Sequence, residues 1–299
     1  MSSGVIAPPS SLVLSRQRIA DYVELTKPRI AIMALVTVAI GFFVASNGPL
    51  DAALLAHTLV GTALLAAGAS ALNQVLERDT DALMRRTRER PLPAGRLKPT
   101  EAMIFGLLLS VVGLNYLCAF VNLLTGFLGA VTVVCYAFVY TPLKRRTSLN
   151  TLVGAIPGAL PPVMGWTALR GSIDGEAWIL FLIVFLWQFP HFLAIAWIYR
   201  DDYARAGLKM LPVVDSGGGM TGRQSLGYAL ALVPVSLAPS VIGMTGRAYF
   251  FGALGLSLAF LAFAIAFSVL ATQQRARNLM RASLVYLPTL FVFMTLDLV

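Results

Sequence analysis

The chain has 299 residues, of which 58% are hydrophobic and 12% charged, with a mean hydropathy of +0.77. A soluble domain carries about 25% charged residues, so this composition excludes an ordinary soluble protein and indicates an integral membrane protein. The net charge of +9 would suggest nucleic acid in a soluble chain. Here it matches the basic loops of membrane proteins, and no nucleic-acid partner is expected.

Residues 1–28 read as an N-terminal tail, a loose APPSS segment followed by the amphipathic stretch RQRIADYVELTKPR, with no signal-peptide core. Residues 29–299 read as one domain. A helical span needs about 17 to 25 apolar residues. Nine runs qualify: 29–47, 52–75, 102–120, 123–141, 150–169, 177–199, 225–243, 248–271 and 280–298. Proline within several of them is tolerable in packed membrane helices. The expected fold is all-α, a polytopic bundle of nine transmembrane helices. Cys118 and Cys135 lie inside apolar runs and read as small buried hydrophobes.

The charges support this count. With spans alternating in direction, 21 of the 23 Lys and Arg fall on one side, and only Arg170 and Arg247 on the other. The positive-inside rule then puts the N-terminus in the cytoplasm and the C-terminus outside.

Two acidic clusters stand on the basic side. Asn73, Glu77 and Asp81 follow an i, i+4, i+8 pattern from the end of the second run onward. On a continuing helix they form one stripe of oxygen donors, the donor type that Mg²⁺ takes together with phosphate. Asp201 and Asp202 close the sixth run, and two such sites could clamp a diphosphate between two ions. Around them lie Arg86, Arg90, Lys144, Arg145, Arg146, Arg200, Arg205 and Lys209. Arginine forks match phosphate oxygens. Acids for metal and bases for phosphate, above an apolar bundle, suit a diphosphate on a long hydrocarbon tail. The plainer alternative is a set of solvated interface charges that fix topology. A transporter is another, although transporters hold such groups near the bilayer midplane.

The stretch NQVLERDTDALMRRTRERPLPAGRL resembles the first aspartate-rich motif of the UbiA-type intramembrane prenyltransferases. Asn73, Glu77 and Asp81 fill its stripe, and Arg86, Thr87, Arg90, Pro91 and Leu92 its tail. DYVELTKPRI resembles the family's approach to the first span. YTPLKRRTSLNTLVGAIPGALPPVMGW resembles its central motif, and WQFPHFLAIAWIYRDDYARAGLKMLPVV its second acidic motif. The PHF…YRDDYARAG…MLP combination is similar to the branch that farnesylates heme. Two departures stand out: Glu77 where many members have Asp, and adjacent Asp201 and Asp202 in place of an Asp-x-x-x-Asp spacing, which weakens the second metal site.

The resemblance implies transfer of the farnesyl group of farnesyl diphosphate to a vinyl group of heme b, with water added, giving heme O. It implies one or two Mg²⁺ on Asn73, Glu77, Asp81, Asp201 and Asp202, heme b being substrate and not cofactor. Lys144, Arg145 and Tyr140 are the expected catalytic residues: two neutralise the leaving diphosphate, and the ring steadies the allylic cation. His191, after Pro190 inside the sixth span, is the expected heme contact, with a plainly packed histidine as the alternative. The expected setting is the plasma (inner) membrane, with the site facing the cytoplasm and heme A synthase a candidate partner. A quinone-precursor or chlorophyllide acceptor stays open, as does a non-catalytic assembly factor.

Overall fold

The computed structural model describes residues 10–46 and 48–299. Residues 1–9 of the expected tail, and residue 47 at the end of the first span, lie outside the described residues. The chain forms α1 (Ser10–Leu25), α2 (Pro28–Ala45), α3 (Ala52–Leu83), α4 (Pro99–Phe120) and α5 (Leu123–Val133). A π-helical stretch (Val134–Tyr140) runs into α6 (Thr141–Leu143), followed by α7 (Asn150–Arg170), α8 (Gly175–Ile198) and the short α9 (Arg200–Arg205) and α10 (Leu211–Val214). The chain ends with α11 (Gly219–Val241), α12 (Arg247–Val269) and α13 (Gln273–Leu296). Among the described residues nine helices are long and apolar enough to cross a membrane, with α5, the π stretch and α6 counting as one.

Local chemistry sets several ends. Asp51 caps α3 by accepting from the Leu54 N–H at 2.9 Å, and Asn122 caps α5 through the Thr125 N–H at 2.8 Å. Pro28 and Pro99 open α2 and α4, where a missing N–H costs nothing.

Three boundaries differ most from the sequence reading, each for a physical reason. The amphipathic stretch is part of a helix, α1, which begins at Ser10 within the segment read as loose; its Leu25 packs with Ala71, Leu92, Leu97 and Ala102. Helix α3 continues past residue 75 to Leu83. Its 32 residues make it about 48 Å long, against about 30 Å of bilayer core, so its last turns can be polar and still helical. Helix α13 begins at Gln273, where the Thr272 hydroxyl accepts from the Arg275 N–H at 3.2 Å. Arg275 and Arg277 therefore sit in its first turns.

Helix α7 is the most deeply buried of the nine spans. It packs on α2, α5 and α8, while α13 touches α8, α12 and α2 and closes the ring. Buried hydroxyls link three helices: the Tyr286 hydroxyl joins Ser236 at 2.6 Å and Ser257 at 3.0 Å, tying α13 to α11 and α12. The α2–α7 crossing depends on glycine. A Cβ on Gly41 would overlap the Pro162 carbonyl, and one on Gly165 the Val38 carbonyl. Gly165→Val should therefore force the helices apart and cost at least about 1–3 kcal/mol. The check is a lowered thermal midpoint in detergent, against Gly255→Ala on α12, where open space surrounds the site and no loss is expected.

Candidate active site

The polar extension of α3 places Asn73, Glu77 and Asp81 on one face, and each meets a cation from a different part of the chain. Lys27 Nζ donates to Asn73 Oδ1 at 2.6 Å. Lys144 Nζ donates to Glu77 Oε1 at 2.6 Å. Arg90 Nη1 donates to Asp81 Oδ2 at 2.7 Å. Glu77 and Asp81 are largely withdrawn from solvent, their side chains 12% and 1% exposed, so removing either cation would strand a charge.

Each cation is delivered by a local device. Lys27 occupies the break between α1 and α2 with φ 48°, in the left-handed region, directly before Pro28. That conformation costs about 1–2 kcal/mol for a residue with a Cβ and persists because α1 is fastened on both sides. Gln74 Nε2 donates to the Leu25 carbonyl at 3.0 Å, and Arg96 Nε to Asp21 at 2.8 Å. Arg90 is returned to α3 by a tight loop: the Thr87 hydroxyl donates to the Asp81 carbonyl at 2.9 Å, and the Arg90 N–H to the Thr87 carbonyl at 3.0 Å. Lys144 follows the π stretch. There the Thr141 hydroxyl donates five residues back to the Tyr136 carbonyl at 2.9 Å and accepts from Asn73 Nδ2 at 2.9 Å. The wider π turn, a form often found at functional sites, docks the fourth span onto the stripe.

The two lysines differ in charge preference. Burial, aided by the nearby charge of Arg90, pushes Lys27 down to about 7. Burial also opposes the charge on Lys144, but Glu77 outweighs it and holds the ammonium above the ordinary lysine range. Lys144 Nζ also stands 4.4 Å from the centre of the Tyr140 ring, which stacks with Tyr136 at 5.8 Å.

A cavity of about 210 Å³ opens beside the stripe, lined by Leu76, Glu77, Thr80, Thr141, Arg145 and Arg146 among others. The remaining expected residues do not line it. Arg86 lies over the Tyr199 ring at 5.3 Å and Arg200 over Trp197 at 4.3 Å. Arg205 pairs with Asp202, and the Lys209 N–H donates to the Lys144 carbonyl at 2.7 Å. Asp201 is 89% exposed, 3.8 Å from Arg200. Thus Asn73, Glu77, Asp81, Arg90, Lys144, Arg145 and Arg146 come together, while Asp201 does not join them. Among the described residues no three His, Cys, Asp or Glu side chains converge. The stripe offers two carboxylates and one amide oxygen, and Asp81 Oδ1 is buried without a hydrogen-bond partner.

Two participants carry no role at the level of sequence motifs. Lys27 stands in DYVELTKPRI, where a lysine before proline at the head of a span is a detectable signal. Thr141 gave none. His191 sits in α8, its Nδ1 2.7 Å from the Ser283 hydroxyl and its ring stacked on Trp187 at 5.0 Å.

Residues 34–293 match the model of the UbiA prenyltransferase family. The chain belongs to this family. It is similar to the protoheme IX farnesyltransferase of Solibacter usitatus, 50% identical over 286 residues, covering 93% of this chain and 98% of the relative. It is also similar to the protoheme IX farnesyltransferase of Salinibacter ruber, 46% identical with 93% and 98% coverage. The UbiA fold extends to distant structures. One, from work on digeranylgeranylglyceryl phosphate synthase, aligns with a TM-score of 0.80 at 17% identity, covering 94% of this chain and 98% of its own. A UbiA homologue from Archaeoglobus fulgidus bound to GPP and Mg²⁺ aligns with a TM-score of 0.64 at 16% identity, covering 92% and 99%. UbiA membership and nine apolar helices make this a multi-pass membrane protein.

Proposed function

We propose that this UbiA-family protein transfers the farnesyl group of farnesyl diphosphate to a vinyl group of heme b, with addition of water, giving heme O and diphosphate. The observation that carries the reading is the three-oxygen stripe matched by three cations at the basic end of an apolar bundle. The relatives named protoheme IX farnesyltransferase support the acceptor.

The donor set fits Mg²⁺. It is all oxygen, and the unpartnered Asp81 oxygen lies buried within it. Asn73, Glu77 and Asp81 would hold one ion, and the homologue bound to GPP and Mg²⁺ supports that role. Asp202, half-buried beside Arg205, and the solvent-facing Asp201 are the proposed ligands of a second. Neutralising the charge that develops on the departing diphosphate is what Mg²⁺ supplies when bound.

The chain's own residues do the rest. Lys27, Arg90 and Lys144 exchange their oxygen partners on α3 for diphosphate oxygens, joined by Arg145 and Arg146 in the cavity and by Arg86, Arg200, Arg205 and Lys209 at its rim. Lys144, held protonated, faces the diphosphate as the C1–O bond breaks. Tyr140 and Tyr136 present ring faces to the allylic cation, worth about 0.5–2 kcal/mol each. The apolar bundle keeps water from that cation until a vinyl carbon of the heme attacks it. Water then adds to the resulting heme-side cation and loses a proton. The basic bias of one end, 21 of 23 Lys and Arg, supports a site facing the cytoplasm from the plasma membrane.

The test is a mass spectrum of the pigment after purified protein meets heme b, farnesyl diphosphate and Mg²⁺ in detergent. A hydroxyethylfarnesyl heme is expected. Diphosphate release without an adduct would move the acceptor to another ring, and neither product from folded protein would sink the enzymatic reading.

A further inference from the structure

We propose that Ser283 is a positioning residue: it locks His191 in the tautomer protonated on Nδ1 and so leaves an Nε2 lone pair for the iron of bound heme b. The inference rests on the heme-acceptor reading above, and it assigns a function to a polar group on α13.

The argument is one of hydrogen-bond direction. Ser283 is fully buried. Its hydroxyl lies 2.6 Å from the Met280 carbonyl and 2.7 Å from His191 Nδ1. The hydroxyl has one proton, and a carbonyl has none to give. The proton therefore goes to Met280, and the serine oxygen must accept from His191. A neutral imidazole carries one donor and one acceptor nitrogen, so with Nδ1 donating, Nε2 holds the lone pair. Among the described residues Nε2 has no hydrogen-bond partner.

The ring is also fixed in plane. Trp187, one turn earlier on α8, stacks on His191 with 15° between the planes, and its indole N–H donates to the Ser283 carbonyl at 2.9 Å. Both ends of one serine thus hold the pair. Histidine ligands of metals are oriented in this way, through the hydrogen bond made by the other nitrogen, and imidazole suits iron. The depth agrees. His191 lies seven residues before the end of α8 at Ile198, about 10 Å below the basic mouth. That depth suits an apolar macrocycle whose two carboxylates stay on the basic side.

The experiment uses the full chain in lipid nanodiscs, titrated with heme b and examined by resonance Raman in the ferrous state. The wild type should show an iron–histidine stretching band that His191→Ala loses. Ser283→Ala should bind heme roughly tenfold more weakly, with the band moved to lower frequency as the imidazole loses its acceptor. Ser283→Thr should restore both. Mg²⁺–diphosphate binding should hold in all variants and so report an intact fold. An unchanged band and affinity in Ser283→Ala would overturn the proposal. So would heme bound without any histidine band in the wild type, a result that leaves the acceptor reading standing. Failure of the folded wild type to bind heme would overturn the acceptor reading and this inference with it.

Discussion

Asp81→Asn should lower Mg²⁺-dependent release of diphosphate from farnesyl diphosphate by roughly 10²–10³-fold, the usual loss when one preorganised group acting on developing charge is removed. The substitution keeps the volume and one oxygen, so packing around the 1% exposed side chain is preserved. It removes the charge that Arg90 meets at 2.7 Å. Arg90 is 20% exposed and can turn its guanidinium toward water, so the thermal midpoint should fall much less than the activity. The release assay and a thermal melt on the same preparation separate the two effects. Activity near that of the wild type would show that the stripe does not carry the ion.

The second large effect concerns the Lys144–Glu77 pair. Both side chains are mostly buried, 15% and 12% exposed. Lys144→Met alone leaves the Glu77 carboxylate without its counter-charge, a change worth about 3–5 kcal/mol of stability. Adding Glu77→Gln removes the stranded charge and should return most of that loss, because contacting residues do not behave additively. Activity should not return, since the double variant lacks both a metal ligand and a phosphate-facing ammonium. Thermal melts of the two singles and the double form a double-mutant cycle. A double variant as unstable as Lys144→Met would mean that the pair is not coupled as the 2.6 Å contact implies.

Much of this architecture was legible in the sequence because it rests on local signals. Apolar runs locate the nine spans, and the i, i+4, i+8 pattern of Asn73, Glu77 and Asp81 puts them on one helical face wherever the helix continues. What stayed hidden depends on distance in sequence. Lys27 meets Asn73 across 46 positions, Lys144 meets Glu77 across 67, and Ser283 meets His191 across 92. No local pattern encodes such pairings. The π stretch was equally invisible, since Val134–Tyr140 has the same apolar composition as the helix it widens. Asp201 marks a different limit: the motif does not encode which side chains of the short α9 face solvent, and Asp201 is 89% exposed.

The backbone of Lys27 has a consequence for any attempt to improve this protein. At φ 48° the position suits glycine, whereas the contact with Asn73 needs a long ammonium. No single residue type satisfies both demands. Lys27→Gly would relax the chain by about 1–2 kcal/mol, but it would strand the buried Asn73 oxygen at a cost of about 1–3 kcal/mol. Backbone ease and the grip on substrate therefore pull against each other at one codon, and neither glycine nor lysine gains both.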